Sequence, residues 1–443
     1  MKKHTKEEIS TLIEEEDVAF IRLQFTDAFG SLKNMAITPG QLEKALNNEI
    51  CFDGYSIANY AMMEEAEMFL HPDINTFEIF PWRPQQGKVA RFLCDVCKAD
   101  GTPFELDPRD VLKKAIKDAA SMGYEFMVKP DCEFFLFEVD ENGLPTTNSN
   151  ENASYFDLGP QDRGENTRRD MVLTLEEMGF ETEGSYHEKA PAQHEIKFKE
   201  GKSMDMADDI VTFRMVIKTI AKRHGRNATF MPKPIEGKHG SGMHTAMYLL
   251  KDGANVFSSD DDANGLSKEA YHFIGGILKH IRAITFITNP TVNSYKRLVS
   301  GYEAPTYISW SASNSNSLIR IPMDRKKNTR IKLTSPDSSA NPYLALAVCL
   351  RAGLDGIKNQ IEPPKAVDKS ISKMSDEDIR GEGIEALPLN LMEALRAFEE
   401  DDFVKQTLGE MFSDALISEK RKEYNEYAKS ISEWEVNRYL HRI

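Results

Sequence analysis

The sequence has 443 residues, 40% hydrophobic and 28% charged, with a formal net charge of −16. That length accommodates roughly two to three globular domains, and an acidic surface repels nucleic acid and anionic membranes, leaving small molecules and other proteins as partners. The N-terminal MKKHTKEEIS lacks the apolar core of a signal peptide, no stretch is apolar enough to span a bilayer, and five scattered cysteines fit a reducing, cytoplasmic setting.

Residues 4–16 read as a short helix, and Ala19 to Thr26 alternates as a half-buried strand does. Asp27-Ala28-Phe29-Gly30 is turn chemistry, LKNMAI (32–37) is the returning strand, and a second helix is expected near Pro39–Asn47. TFEIF (76–80) and VARFLCDV (89–96) predict further strands. Cys94 and Cys97 make a C-x-x-C inside the latter. With no second pair and no redox helix start after them, buried idle thiols are a better reading than a zinc or redox site. The loop ADGTPFELDPR (99–109) marks a boundary between a small α+β domain, residues 1–103, and a larger domain, residues 104–443.

Asp107 then caps a helix with Pro108 at its first position, Gly123 past its end, and Val111, Leu112, Ala115, Ile116 and Ala119 as its apolar stripe. Strands are expected at EFFLFEV (133–139), HEIKF (194–198) and ATFMPKP (228–234), and long helices at 206–223 and 267–287. Shorter strands near 304–321 and 329–334 precede a largely helical C-terminal third. No regular β-α-β beat runs through this order, so the fold class is α+β.

Asp131 and Glu133 sit two apart in DCEFFLF, on one face of a strand that runs directly into apolar residues. Two acids side by side in an interior repel each other and call for a cation. Glu188 and Glu195 flank a proline turn in HEKAPAQHEI, and His244 ends the glycine-rich loop GSGMH. Four carboxylates and an imidazole suit a hard divalent ion, Mg²⁺ or Mn²⁺. Each piece also has a plainer reading, as solvent-facing strand acids and an ordinary glycine turn, and spacing alone leaves both open.

Seven segments narrow the choice. FDGYSI, KPDCEFFLF, HEKAPAQHEI, KPIEGKHGSGMH, NPTVNSYKRLVSGYEAP, LIRIP and ANPYLALA resemble the motifs of glutamine synthetases, in the same order, from about residue 15 to the C-terminus. The closest look is to the short type I form of Gram-positive bacteria. The resemblance implies an N-terminal β-grasp domain, a larger α/β catalytic domain with a curved antiparallel sheet, and two stacked hexameric rings with each active site between neighbouring subunits. It implies an ATP-dependent reaction in which glutamate is phosphorylated on its γ-carboxylate and ammonia displaces the phosphate.

By the same resemblance, Glu133, Glu188 and Glu195 hold a first metal, and Asp131 and His244 belong to a second. Arg297 and Gly240 take the amino-acid end of the substrate. Glu303 is the flap acid that accepts a proton from ammonium, Asp53 is the acid that a neighbouring subunit contributes, and Arg320 and Arg330 serve the phosphates.

Several positions depart from the family pattern. Lys332 stands where the second metal has a glutamate ligand, and an ammonium repels a metal ion instead of ligating it. Asp131 also replaces a glutamate. Thr334 and Ser315 replace arginines near the transferred phosphoryl, Ala246 and Tyr248 alter the nucleotide side, and His239 and Tyr55 replace an asparagine and a serine. Met62 stands where related enzymes carry an arginine linked to glutamine feedback. Three functions stay open: a ligase altered in substrate or weakened; a non-catalytic paralogue that senses an amino acid or assembles with a true glutamine synthetase or a regulator; and ordinary glutamine synthesis.

Overall fold

The computed structural model describes residues 4–57, 67–83, 86–314 and 316–443, so Met62 and Ser315 lie outside the described residues. Strands β1 (Val18–Thr26), β2 (Leu32–Ile37), β3 (Ile50–Asp53), β4 (Glu67–Ile79) and β5 (Lys88–Cys97) form one sheet in the order β2-β1-β5-β4-β3. β1 and β5 run parallel at its centre, and the other neighbours are antiparallel. The alternation that identified β1 places Ile21 and Leu23 in the core, joined by Ile9 and Ile13 from the helix Lys6–Glu15.

A second, ten-stranded sheet is built from β6 (Glu125–Glu138), β7 (Thr182–His187), β8 (Gln193–Phe198), β9 (Gly201–Lys202), β10 (Arg226–Thr229), β11 (Met243–Lys251), β12 (Ala254–Asn255), β13 (Trp310–Ser311), β14 (Ile319–Arg320) and β15 (Ile331–Leu333). Its main path is β13-β14-β15-β11-β6-β8-β7, antiparallel except between β13 and β14. Three helices, Ser203–Arg223, Lys268–Thr288 and Pro342–Asn359, supply much of the remaining core.

The helix Pro108–Ser121 joins the two sheets, with the Asp107 carboxylate accepting from the Arg109 amide at 3.0 Å as its cap. The Arg109 guanidinium is 2% exposed and meets three acids: Asp73 (3.1 Å) and Asp95 (2.8 Å) from the first sheet, and Asp208 (2.6 Å) from the helix Ser203–Arg223. Tyr343 donates to the same Asp208 at 2.7 Å.

Some elements escaped the sequence reading. β4 starts at Glu67, well before TFEIF, because His71-Pro72-Asp73 interrupts its apolar alternation. The polar edge strand β7 carries no apolar pattern either. ATFMPKP is extended in a ladder only through Thr229. Cys94 and Cys97 are both buried and free in β5, and burial pushes the Cys97 thiol up to about 12. Three apart on a strand, they face opposite sides of the sheet.

Candidate active site

The antiparallel register gathers the acids. On β6, Asp131 and Glu133 share a face; Glu195 on β8 lies directly opposite Glu133, and Glu188 lies beyond β7 at the turn into β8. Glu133, Glu188 and Glu195 each offer a carboxylate oxygen, and these oxygens lie within 4.8 Å of one another. Burial raises all three above the ordinary carboxylate range, Glu133 to about 7 and Glu188 to about 9, and neighbouring acids add to the effect. A divalent cation between them would reverse that penalty. An all-oxygen donor set of this kind fits a hard ion such as Mg²⁺ or Mn²⁺.

Fixed donors orient the cluster. Glu133 Oε2 accepts from the Gly242 amide and from Gln193 Nε2, both at 2.9 Å, and Glu195 Oε1 accepts from the Tyr186 hydroxyl at 2.9 Å. Behind the turn, Glu151, Asp162, His187 and His194 also lie close enough to hold an ion. Arg168 already serves that group, touching Asp162 at 2.7 Å and His194 Nδ1 at 2.9 Å. His187 braces the turn, with Nδ1 against the Glu188 carbonyl at 2.6 Å and Nε2 against Glu151 at 2.7 Å.

The neighbouring position is cationic. His244 is the second residue of β11 and not the end of a loop; it faces Asp131 across the ladder. Lys332 on β15 reaches over β11 and its ammonium pairs with Asp131. Arg320 stands directly opposite Lys332 on β14, and Arg297 Nη2 is 3.4 Å from His244 Nε2. Burial, followed by Lys332, Arg297 and Arg320, holds the His244 imidazole well below its usual range. His244 is therefore neutral, as a ligand must be, but three positive charges surround it.

The altered residues settle into the protein. The Thr334 hydroxyl contacts the Ser317 and Leu318 carbonyls, each at 3.1 Å. Tyr248 fills core space and donates to Glu200 at 2.9 Å. Arg330 donates to the Asn328 carbonyl at 2.9 Å.

Around this centre, Arg297 is buried and donates to the Ser335 and Thr334 carbonyls at 2.8 and 3.1 Å. Gly240 and Gly242 are required by crowding. A Cβ would lie 2.2 Å from the Pro232 carbonyl oxygen at Gly240, and 2.6 Å from Arg297 Nη2 at Gly242. Glu303 has a left-handed backbone, with φ of 57°, and its carboxylate pairs with the Lys189 ammonium. His239 Nδ1 lies 3.2 Å from the Tyr302 carbonyl beside it. Asp53 and Tyr55 lie apart from these groups, exposed at the end of β3, with Asp53 Oδ1 accepting from the Tyr55 amide at 2.9 Å.

Gln193 escaped notice in the sequence. Its Nε2 joins Glu133 to the Gly240 carbonyl (3.1 Å), and its Oε1 accepts from the Ala190 amide at 3.1 Å. The available signal was its place two residues before Glu195, on the same strand face. Gln193→Met is expected to weaken Mn²⁺ binding by about 10–100-fold while preserving the fold. Calorimetric titration checks this, and an unchanged affinity would show that the amide only packs.

A five-stranded sheet is joined to a ten-stranded sheet that carries a largely buried cluster of three carboxylates suited to a divalent ion. Sequence comparison specifies it further: residues 17–99 match the glutamine synthetase β-grasp domain, and residues 105–439 match the glutamine synthetase catalytic domain. The chain belongs to the glutamine synthetase family. It is 55% identical over 442 residues to the glutamine synthetase of Clostridium saccharobutylicum, covering 100% of both chains. It is 50% identical over 437 residues to that of Staphylococcus aureus, covering 98% of each. Among solved structures, a GmaS/ADP complex superposes with a TM-score of 0.86 at 31% identity, covering 97% of this chain and 99% of the other. A Plasmodium falciparum glutamine synthetase shares the fold, with a TM-score of 0.87 at 24% identity over 99% of each chain.

Proposed function

We propose that this chain is an ATP-dependent carboxylate–amine ligase in which one divalent ion, at Glu133, Glu188 and Glu195, works beside a fixed ammonium, Lys332, in place of a second ion. The Lys332–Asp131 ion pair is the observation that carries this reading. The bound ion would supply positive charge against reactant oxygens. Lys332, Arg320 and Arg330 supply further positive charge from one end of the sheet. By family resemblance, Arg297 and Gly240 hold the amino-acid end, and Glu303 and Asp53 serve the incoming amine.

A lysine contributes one charge and donates hydrogen bonds, whereas a metal contributes two charges and accepts ligands, so the exchange is unequal. The arginines replaced by Thr334 and Ser315 each correspond to a loss of roughly 10²–10³ in rate. Glutamine formation from glutamate and ammonia is therefore expected to be weak, with the site turned toward another acceptor or amine.

A second reading, a non-catalytic metabolite sensor or an assembly partner of a true glutamine synthetase, is favoured by one contact. The Lys189 ammonium already occupies Glu303, the acid that the family presents to ammonium. ADP release from ATP with Mg²⁺ or Mn²⁺, across a panel of amino acids and amines, separates the two. Turnover with any acceptor supports the ligase. A background rate with all of them, together with saturable amino-acid binding, supports the sensor.

We take the chain to divide at residues 103 and 104, to act in the cytoplasm, and to assemble with itself in two stacked hexameric rings. Two-sheet folding with the family likeness supports the first, and no helix among the described residues is long and apolar enough to cross a membrane. Mass photometry tests the assembly.

A further inference from the structure

A cavity of about 790 Å³ lies between the first sheet and the helix Ser203–Arg223. Arg22 lines it from β1; Arg214, Lys218 and Phe230 line it from the other side; no carboxylate appears among its lining residues. Arg214 and Lys218 are one helical turn apart, where like charges disfavour each other. Both lie 5.9 Å from the centroid of the Phe230 ring.

None of the three cations is matched by a carboxylate at ion-pair distance among the described residues. Arg22 donates to the Asn34 side chain at 3.0 Å. Arg214 donates through Nη2 to the Ala340 carbonyl at 2.9 Å, while its Nε is buried with no partner. The acid whose field reaches Arg214, Asp337, is committed to Asn289 at 3.0 Å and to the Ser339 amide at 2.9 Å. Lys218 is the most exposed of the three; desolvation by the surrounding protein and the nearby Arg214 push its ammonium down. Three positive charges, none with a carboxylate at ion-pair distance, line a space large enough for a metabolite, an arrangement that suits an anion.

We infer that this cavity is a binding site for a small oxyanion, a carboxylate or phosphate group, gripped by Arg214 and Lys218 with Arg22 opposite. Ser338 on the cavity wall donates to the Glu133 and Gly242 carbonyls, both at 2.8 Å. An occupant therefore sits one residue from the backbone that positions the acid cluster, which makes the cavity an effector site.

Calorimetric titration of the assembled protein with inorganic phosphate and, separately, with succinate tests this. Lys218→Gln and Arg22→Gln serve as variants because neither side chain is needed for the core. The expected result is saturable binding of at least one probe, weakened roughly tenfold or more in each variant, as loss of a charged contact implies. The stronger probe then identifies the oxyanion class. Binding of neither probe overturns the inference, as does binding that both variants leave unchanged, which would place the probe elsewhere, beside Arg320 and Arg330 for instance.

Discussion

Lys332→Glu is expected to create a second divalent-ion site. The wild-type protein is expected to bind one Mn²⁺ per chain at the three glutamates, and the variant two. At present Asp131 is neutralised by the Lys332 ammonium, and His244, neutral and facing Asp131, is surrounded by positive charge. Exchanging the ammonium for a carboxylate changes the local charge by two. At a separation of 4 Å and an effective dielectric constant of 20, each unit charge pair is worth about 4 kcal/mol. Even with most of that lost to solvent and relaxation, second-site affinity should rise more than about 100-fold. Without metal the same variant should lose stability, because Asp131 and the new glutamate then repel each other. Electron paramagnetic resonance of added Mn²⁺ gives the stoichiometry. One ion per chain in both proteins, with equal affinity, would remove the basis for placing a second cation position at Asp131 and His244.

Arg109→Met is expected to give the largest loss of stability, about 3–5 kcal/mol, because it removes the guanidinium that joins three acids, of which Asp95 keeps Lys113 as a cationic partner. Asp208 is 2% exposed, and Asp73 and Asp95 are only partly exposed. Without the guanidinium, three carboxylates remain close together, and Tyr343 alone still serves Asp208. Methionine keeps much of the volume, so the loss reports charge and not a cavity. Urea unfolding at fixed protein concentration measures it. A loss below about 1 kcal/mol would mean that the acids find other partners or take up protons at little cost.

The acid cluster was legible in the sequence because a strand has a period of two. DCEFFLF places Asp131 and Glu133 on one face, the proline turn and the glycine-rich loop drew in Glu188, Glu195 and His244, and the family motifs assigned their roles. The partner of Lys332 was not legible. Asp131 and Lys332 are 201 positions apart, and only the order β15-β11-β6 brings them together. The Lys189–Glu303 contact was hidden for the same reason: it depends on the path of a loop. Arg109 appeared only as the last residue of the loop ADGTPFELDPR, since nothing local signals that one side chain will meet acids at positions 73, 95 and 208. The strand β11 was obscured by the glycines before it, which marked a loop and drew His244 into it.

The small size of Ala246 keeps a path open across the sheet. Ala246 is the β11 residue directly opposite Lys332, it is buried, and Lys332 crosses the strand beside it to reach Asp131. Neighbouring strands are about 4.8 Å apart, so the lysine spans two such intervals over a methyl group. A bulkier residue at 246 would block that route and leave the ammonium stranded. The two residues are therefore coupled: the small side chain at 246 is what leaves room for the Lys332–Asp131 pair.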